Sequence, residues 1–239
     1  MERHIIFYDL TKKDPVHAWV MNAWKSRLVL NFLELEYETR FLDFPDVEST
    51  LMDLGLPPSA QGQRYAVPAI TILSPDTSEP VHAMGEGTSK DEVAAALQAL
   101  VQEKKLYLES PELEEVTSFT HQIMETLRPI WMPAMLALLT PRSAERFSSR
   151  KLALAREKAD QEEAWKIASG YFQRLGEVLK RHEGPFVLGD RVSYADFIIV
   201  AQLQFLRVAD MSIYDRFVIE LPGLKELYER CRPWTVRDT

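Results

Sequence analysis

One cysteine in 239 residues, Cys231, leaves nothing for an intramolecular disulfide and no thiol set for a Cys-rich metal site. The histidines (His4, His17, His82, His121 and His182) show neither a His-Glu-x-x-His pattern nor paired spacing, so no metal is expected. Long apolar runs are missing as well. The stretches 132–139 and 197–201 fall far short of the ~20 residues that cross a bilayer, and the opening residues lack a signal-type apolar segment. No membrane partner is therefore expected, and a cytoplasmic location is. Basic charge is short: 28 Lys and Arg stand against 36 Asp and Glu, a net charge of −8. That balance supplies no overall basic face to displace counterions from phosphates, so nucleic acid is not an expected partner. Nine glycines exclude a collagenous or linker-dominated chain. The remaining balance, 46% hydrophobic with 27% charged, excludes disorder across the whole chain.

The periodicity changes partway along. Ile5-Ile6-Phe7-Tyr8 reads as a buried strand. Apolar residues then fall at helical spacing from Trp24 to Leu35, with Asn22 where an N-cap belongs. The segment 37–44 alternates with period two, as a half-buried strand does. A short helix is predicted over 47–54, closed by Gly55 and Pro57. The β-branched run 67–73 begins at a proline, a position a strand tolerates. Residues 80–84 make a further strand, and 90–106 a helix. Strand signals stop there. Helices are predicted over 113–139, kinked or broken at Pro129 and Pro133, over 144–179, over 197–208 behind a capping box at Ser193–Asp196, and from Pro222 through Cys231. This order divides the chain into an α/β domain over 1–103 and an all-helical domain over 107–239.

Specific residues follow this arrangement. Trp24-Lys25-Ser26-Arg27, Leu30-Asn31-Phe32, Tyr37-Glu38-Thr39 and Phe44-Pro45-Asp46-Val47 resemble a stretch of the fungal etherase-like (FuA-type) glutathione transferases. Tyr65-Ala66-Val67-Pro68 resembles the cis-proline segment of the cytosolic glutathione transferase superfamily, and Ser193-Tyr194-Ala195-Asp196-Phe197 the capping box of its helical domain. Leu221-Pro222-Gly223-Leu224 and Arg232-Pro233-Trp234 resemble its tail. The resemblance covers nearly the whole chain. It implies the glutathione transferase fold, a thioredoxin-like N-terminal domain followed by an all-α C-terminal domain, with glutathione as cofactor and a homodimer as assembly. The implied activity is glutathione-dependent and directed at a hydrophobic, electrophilic small molecule. Conjugation, ether cleavage, and reversible thiol addition that isomerises a double bond all fit, and fungal secondary metabolism is an implied setting. A non-catalytic ligand-binding or interaction module is the alternative.

The resemblance also implies site residues. Asn22, at the start of the first helix, is the candidate catalytic residue: its amide N–H can point at a sulfur. Its plainer role is a helix cap. Related enzymes usually carry Ser-Pro directly before this Asn, and here those positions are Val20 and Met21, neither a strong donor. Tyr8 is a rival for the sulfur and reads better as core; Cys231 lies in the last helix, away from the first helix's N-terminus. Glutathione's cysteinyl backbone would pair with Val67 ahead of Pro68, as an added strand does. Its γ-glutamyl end would meet Ser89, with Glu86 near, although Ser89 serves equally as a helix cap. The second substrate would meet Met124, Trp131, Met132 and Met135 on the kinked helix.

Overall fold

A computed structural model describes residues 3–13, 17–59, 64–75, 79–85, 91–146 and 161–239. Four strands form one sheet, β1 (His4–Leu10), β2 (Glu38–Leu42), β3 (Ala69–Leu73) and β4 (Val81–Met84), in the order β2-β1-β3-β4. β1 runs parallel to β2, with Ile6 opposite Glu38 and Leu10 opposite Leu42. It runs antiparallel to β3, with Tyr8 opposite Ala69, and β3 runs antiparallel to β4. Six of the seven β1 residues are buried, which explains the continuous apolar run of a strand covered on both faces. β2, on an edge, is only half-buried and keeps the alternating pattern.

Helix α1 (Met21–Phe32) follows β1, and α2 (Val47–Asp53) follows β2 behind a 3₁₀ turn at Phe44–Asp46. Asn22 is not the cap of α1. Val20 holds the extended cap conformation, with no side-chain cap bond, and Asn22 is the second residue of the helix. Local capping preference yields here to tertiary anchoring, because the Trp19 indole N–H donates to Leu10 O at 2.9 Å and Ala18 N–H donates to Asp238 O at 3.0 Å. The helix expected over 90–106 shortens to α3 (Glu92–Gln98). Its cap is Asp91, which accepts Ala94 N–H at 3.0 Å, and not Ser89. It stops early because the Gln98 amide turns back, donating to Val101 O and Lys104 O and accepting Leu106 N–H.

The helical region comprises α4 (Pro111–Thr126), α5 (Arg128–Leu138), α6 (Pro141–Arg146), α7 (Gln161–Leu179), α8 (Tyr194–Ala209), α9 (Met211–Glu220) and α10 (Gly223–Cys231). The expected interruption falls at Leu127. Pro129 stands in the first turn of α5, where no helical N–H is required, and Pro133 lies inside that helix. The long helix expected over 144–179 is described as α6 and α7; 147–160 lie outside the described residues. Periodicity missed α9, which Asp210 caps by accepting Ser212 N–H at 2.8 Å.

Twelve of the sixteen α8 residues are buried, so this helix is core on nearly every side. It packs along α1. The predicted capping box opens it: Asp196 accepts Ser193 N–H, the Ser193 hydroxyl and Val187 N–H at 2.7–2.8 Å. Burial still pushes the Asp196 carboxyl up to about 6 against the pull of those donors. The 3₁₀ turn Arg232–Thr235 and the residues after it lie across α1. Asn31 Nδ2 donates to Trp234 O and Arg237 O, and the Arg237 guanidinium sits 4.0 Å from the Tyr37 ring centroid.

Candidate functional site

The start of α1 presents backbone donors. Trp24 N–H makes the first helical bond, to Val20 O, so the N–H groups of Met21, Asn22 and Ala23 have no acceptor within the helix. No acidic side chain stands in that first turn to neutralise them. Together with the helix dipole they favour an anion by about 0.3–1 kcal/mol.

Beside this helix end lies a cavity of about 190 Å³. One side is Leu10 from the end of β1, then Trp19, Val20, Met21 and Asn22. The other is Phe44 from the turn after β2, Leu139 beyond α5, Trp131 and Met135 from α5, and Phe205 from α8. Both indole N–H groups are already engaged: Trp19 donates to Leu10 O, and Trp131 to Met124 O at 2.8 Å. Asn22 is therefore the polar side chain this cavity has to offer. Its amide makes no hydrogen bond with a described residue.

Of the residues predicted for the second substrate, Trp131 and Met135 line the cavity and Met124 and Met132 do not. Helix geometry accounts for the split. Trp131 and Met135 are four apart on one face, while Met132 is turned about 100° away into the core. Met124 lies on α4, before the break, and contributes only the carbonyl that orients the Trp131 indole.

The Val67-Pro68 peptide is cis. Pro68 O accepts Gly85 N–H at 2.8 Å, and a Cβ on Gly85 would come within 2.9 Å of Pro68 Cγ, so the close approach requires glycine there. Neither Val67 N–H nor Val67 C=O has a partner among the described residues. Tyr8 pairs with Ala69, and the same register carried on sets Pro68 and Val67 alongside Asp9 and Leu10. The unpaired backbone thus lies at the end of the sheet where β1 delivers Leu10 to the cavity.

Glu86 and Ser89 lie outside the described residues. The polar groups described next to them were missed by the sequence reading. Asp91, beyond capping α3, accepts the Tyr194 hydroxyl at 2.8 Å. Lys25, buried in α1, is pushed down to about 8 by burial, against the attraction of Asp91. A second buried cluster joins Arg27 to Asp9 at 3.0 Å, both side chains fully buried. The signal for both was a charge set within the apolar run of α1, where only a paired charge is tolerated.

Tyr8 is core, as expected, and its hydroxyl is buried without a partner among the described residues. Burial pushes the Cys231 thiol well up, with the Asp196 charge adding to it, so this cysteine is no nucleophile.

Residues 116–213 match the family model of the glutathione S-transferase C-terminal domain. A glutathione S-transferase-like protein of Aspergillus flavus, ustS, is 26% identical, covering 89% of this chain and 84% of its own. The crystal structure of glutathione transferase GSTFuA3 from Phanerochaete chrysosporium superposes with a TM-score of 0.79 at 25% identity, over 98% of each chain. A glutathione S-transferase of Ceriporiopsis subvermispora, crystallised in complex with glutathione, superposes with a TM-score of 0.73, also at 25% identity and over 98% of each chain. With the sheet order, the cis-proline turn and the buried capping box, these likenesses show the glutathione transferase fold over nearly the whole chain, a glutathione S-transferase C-terminal domain at residues 116–213, and similarity to the fungal FuA-type enzymes of the cytosolic glutathione transferase superfamily.

Proposed function

We propose that the chain is a glutathione-dependent enzyme acting on a hydrophobic electrophile, and that Asn22 and Val67 are its central site residues. The observation that carries this reading is the free Asn22 amide, set at the start of α1 within an otherwise apolar cavity. The unpaired Val67 backbone fits the peptide portion of glutathione as an added strand. Glutathione supplies a nucleophilic thiol when bound. The residues of this chain bind, orient and polarise. Val67 holds the tripeptide in register, the first-turn N–H groups and the Asn22 amide favour an anionic sulfur, and Trp131, Met135 and Phe44 exclude water from the apolar partner. Glu86 and Ser89 are proposed for the γ-glutamyl end.

The magnitudes support a tuned rather than a strong activation. A free thiol has a pKa near about 8.5, and bringing it down by two units takes about 2.7 kcal/mol. The helix end contributes about 0.3–1 kcal/mol and one hydrogen bond to the charged sulfur about 1.5–3 kcal/mol. Apolar walls oppose both by disfavouring the charged form. The side chains of Val20 and Met21 add no donor. A thiol held this way suits reversible addition and elimination, which isomerises a double bond and returns the thiol. Conjugation and ether cleavage are the other reactions open to it. A two-domain division at 1–103 and 107–239, a homodimer, a cytoplasmic location and a place in fungal secondary metabolism complete the proposal.

Calorimetric titration with glutathione tests it, alongside thermal unfolding. Glutathione at about 100 times its Kd should add about 2.7 kcal/mol of stability. Millimolar glutathione that gives neither heat nor a shift in Tm refutes the reading. The second reading, a binding module without chemistry, draws on Val20 and Met21 where a donor is expected. Turnover of model electrophiles that is lost in Asn22→Ala, with Tm intact, decides against it.

A further inference from the structure

One side of the cavity is held by a polar seam remote from the thiol chemistry. Phe44 N–H donates to Ser143 Oγ at 3.0 Å, and the Ser143 hydroxyl donates to Asp43 Oδ1 at 3.0 Å. The Thr140 hydroxyl donates to the same Asp43 oxygen and accepts Ser143 N–H at 3.1 Å, capping α6. Ser143 is 1% exposed, and among the described residues its hydroxyl is satisfied by these two bonds. Lys13 N–H, in the segment after β1, donates to Leu138 O at 2.9 Å at the same corner. Arg142 also reaches across, to Asp46 at 2.7 Å and to Asp43 at 3.2 Å, but its side chain is 60% exposed. Exposed pairs of this kind contribute little. Phe44 and Leu139, which flank the seam, both line the cavity.

We propose that Asp43 and Ser143 are a positioning pair that sets the size of electrophile the cavity admits. Through them the corner between α5 and α6 holds the Phe44 backbone, and with it the ring that closes one side of the cavity. The inference rests on the reading of this cavity as the electrophile site. The buried hydroxyl bonds do the positioning, and the exposed Arg142 fork does not. Asp43→Asn keeps the oxygen that accepts from Thr140 and Ser143, so it should rescue what Asp43→Ala loses.

The test uses the full chain and two neutral quenchers of tryptophan fluorescence, nitrobenzene with one ring and 1-nitropyrene with four, since Trp19 and Trp131 line the cavity. In Ser143→Ala and Asp43→Ala the ratio of the two affinities should move toward the larger probe by about fivefold, within the range one hydrogen bond commands. Asp43→Asn and Arg142→Ala should keep the parent ratio. The proposal is overturned if Ser143→Ala and Asp43→Ala keep the parent ratio, if Arg142→Ala matches Asp43→Ala, or if neither probe quenches the parent. If Ser143→Ala does not fold, the contrast between Asp43→Ala and Asp43→Asn decides alone. Glutathione titration of the same variants separates the two readings: absence of glutathione binding sinks the proposed function, while the probe ratio alone judges the seam.

Discussion

Replacing Asn22 by alanine isolates the amide's share of thiol activation. The substitution leaves the backbone N–H groups of Met21, Asn22 and Ala23 in place, because Asn22 is within α1 and does not cap it. The helix-end share, about 0.3–1 kcal/mol, therefore survives. What is lost is one hydrogen bond to a charged acceptor, about 1.5–3 kcal/mol. Divided by 1.36 kcal/mol per pH unit, the bound thiol should titrate about one to two units higher in the variant. The assay is the ultraviolet absorbance of the thiolate at saturating glutathione, followed as a function of pH for parent and variant. Glutathione affinity above both midpoints should fall in the variant, and well below the parent titration midpoint it should fall little, since the amide favours the anionic sulfur over the neutral thiol. Equal midpoints in the two proteins, with glutathione bound in both, would falsify the assignment of Asn22 and leave the helix end as the sole anion-favouring element.

Other perturbations have equally definite outcomes. Val20→Ser places a hydroxyl beside Asn22 and should lower the bound-thiol midpoint by about one unit, a modest hydrogen bond to the anion; a midpoint that stays or rises counts against the placement of the sulfur. Arg27→Met strands the buried Asp9 carboxylate and should cost about 3–5 kcal/mol in urea unfolding, whereas the double change Asp9→Leu with Arg27→Met should restore most of it. A single variant that unfolds at the parent urea concentration refutes the pairing. Lys25 titrates at about 8 in the folded protein, against an ordinary value of 10.5. Between those values the unfolded chain holds the extra proton, so stability from this group rises with pH. The parent should gain up to about 3 kcal/mol on Lys25→Met between pH 7 and 10, read as the difference in thermal unfolding; a flat difference rejects the burial account of Lys25. Asp196→Ala leaves the N–H groups of Val187 and Ser193 without their acceptor and should cost about 2–5 kcal/mol, visible as a Tm well below the parent's.

How much of this was legible in the sequence depends on the range of the forces involved. β1, α2, α8 and the capping box at Ser193 were readable because apolar periodicity and a local cap specify them within a few residues. The cap of α1 was not. Asn22 has the better intrinsic preference, yet the Trp19 indole and Ala18 N–H bonds, made to Leu10 and Asp238, move the helix start to Met21. The early end of α3 was hidden for the same reason, since a single glutamine amide gathers three backbone groups from a stretch that otherwise looks helical. Within the candidate site, the cis peptide at Val67-Pro68 and the shared helical face of Trp131 and Met135 follow from local sequence. Met132 could have been separated from its neighbours by helical phase alone. Phe44 and the buried Ser143 could not, because what unites them is a contact spanning 99 positions.

The tie between Asn31 and Trp234 spans 203 positions, and that between Ala18 and Asp238 spans nearly the whole polypeptide. Until those ties close, β1, α1 and every wall of the cavity can already be formed while the segment leading into α1 lacks its anchor. Contacts of such separation close late. The folding protein should acquire its sheet and helices first, and competence to seat a thiol only when these long-range ties close.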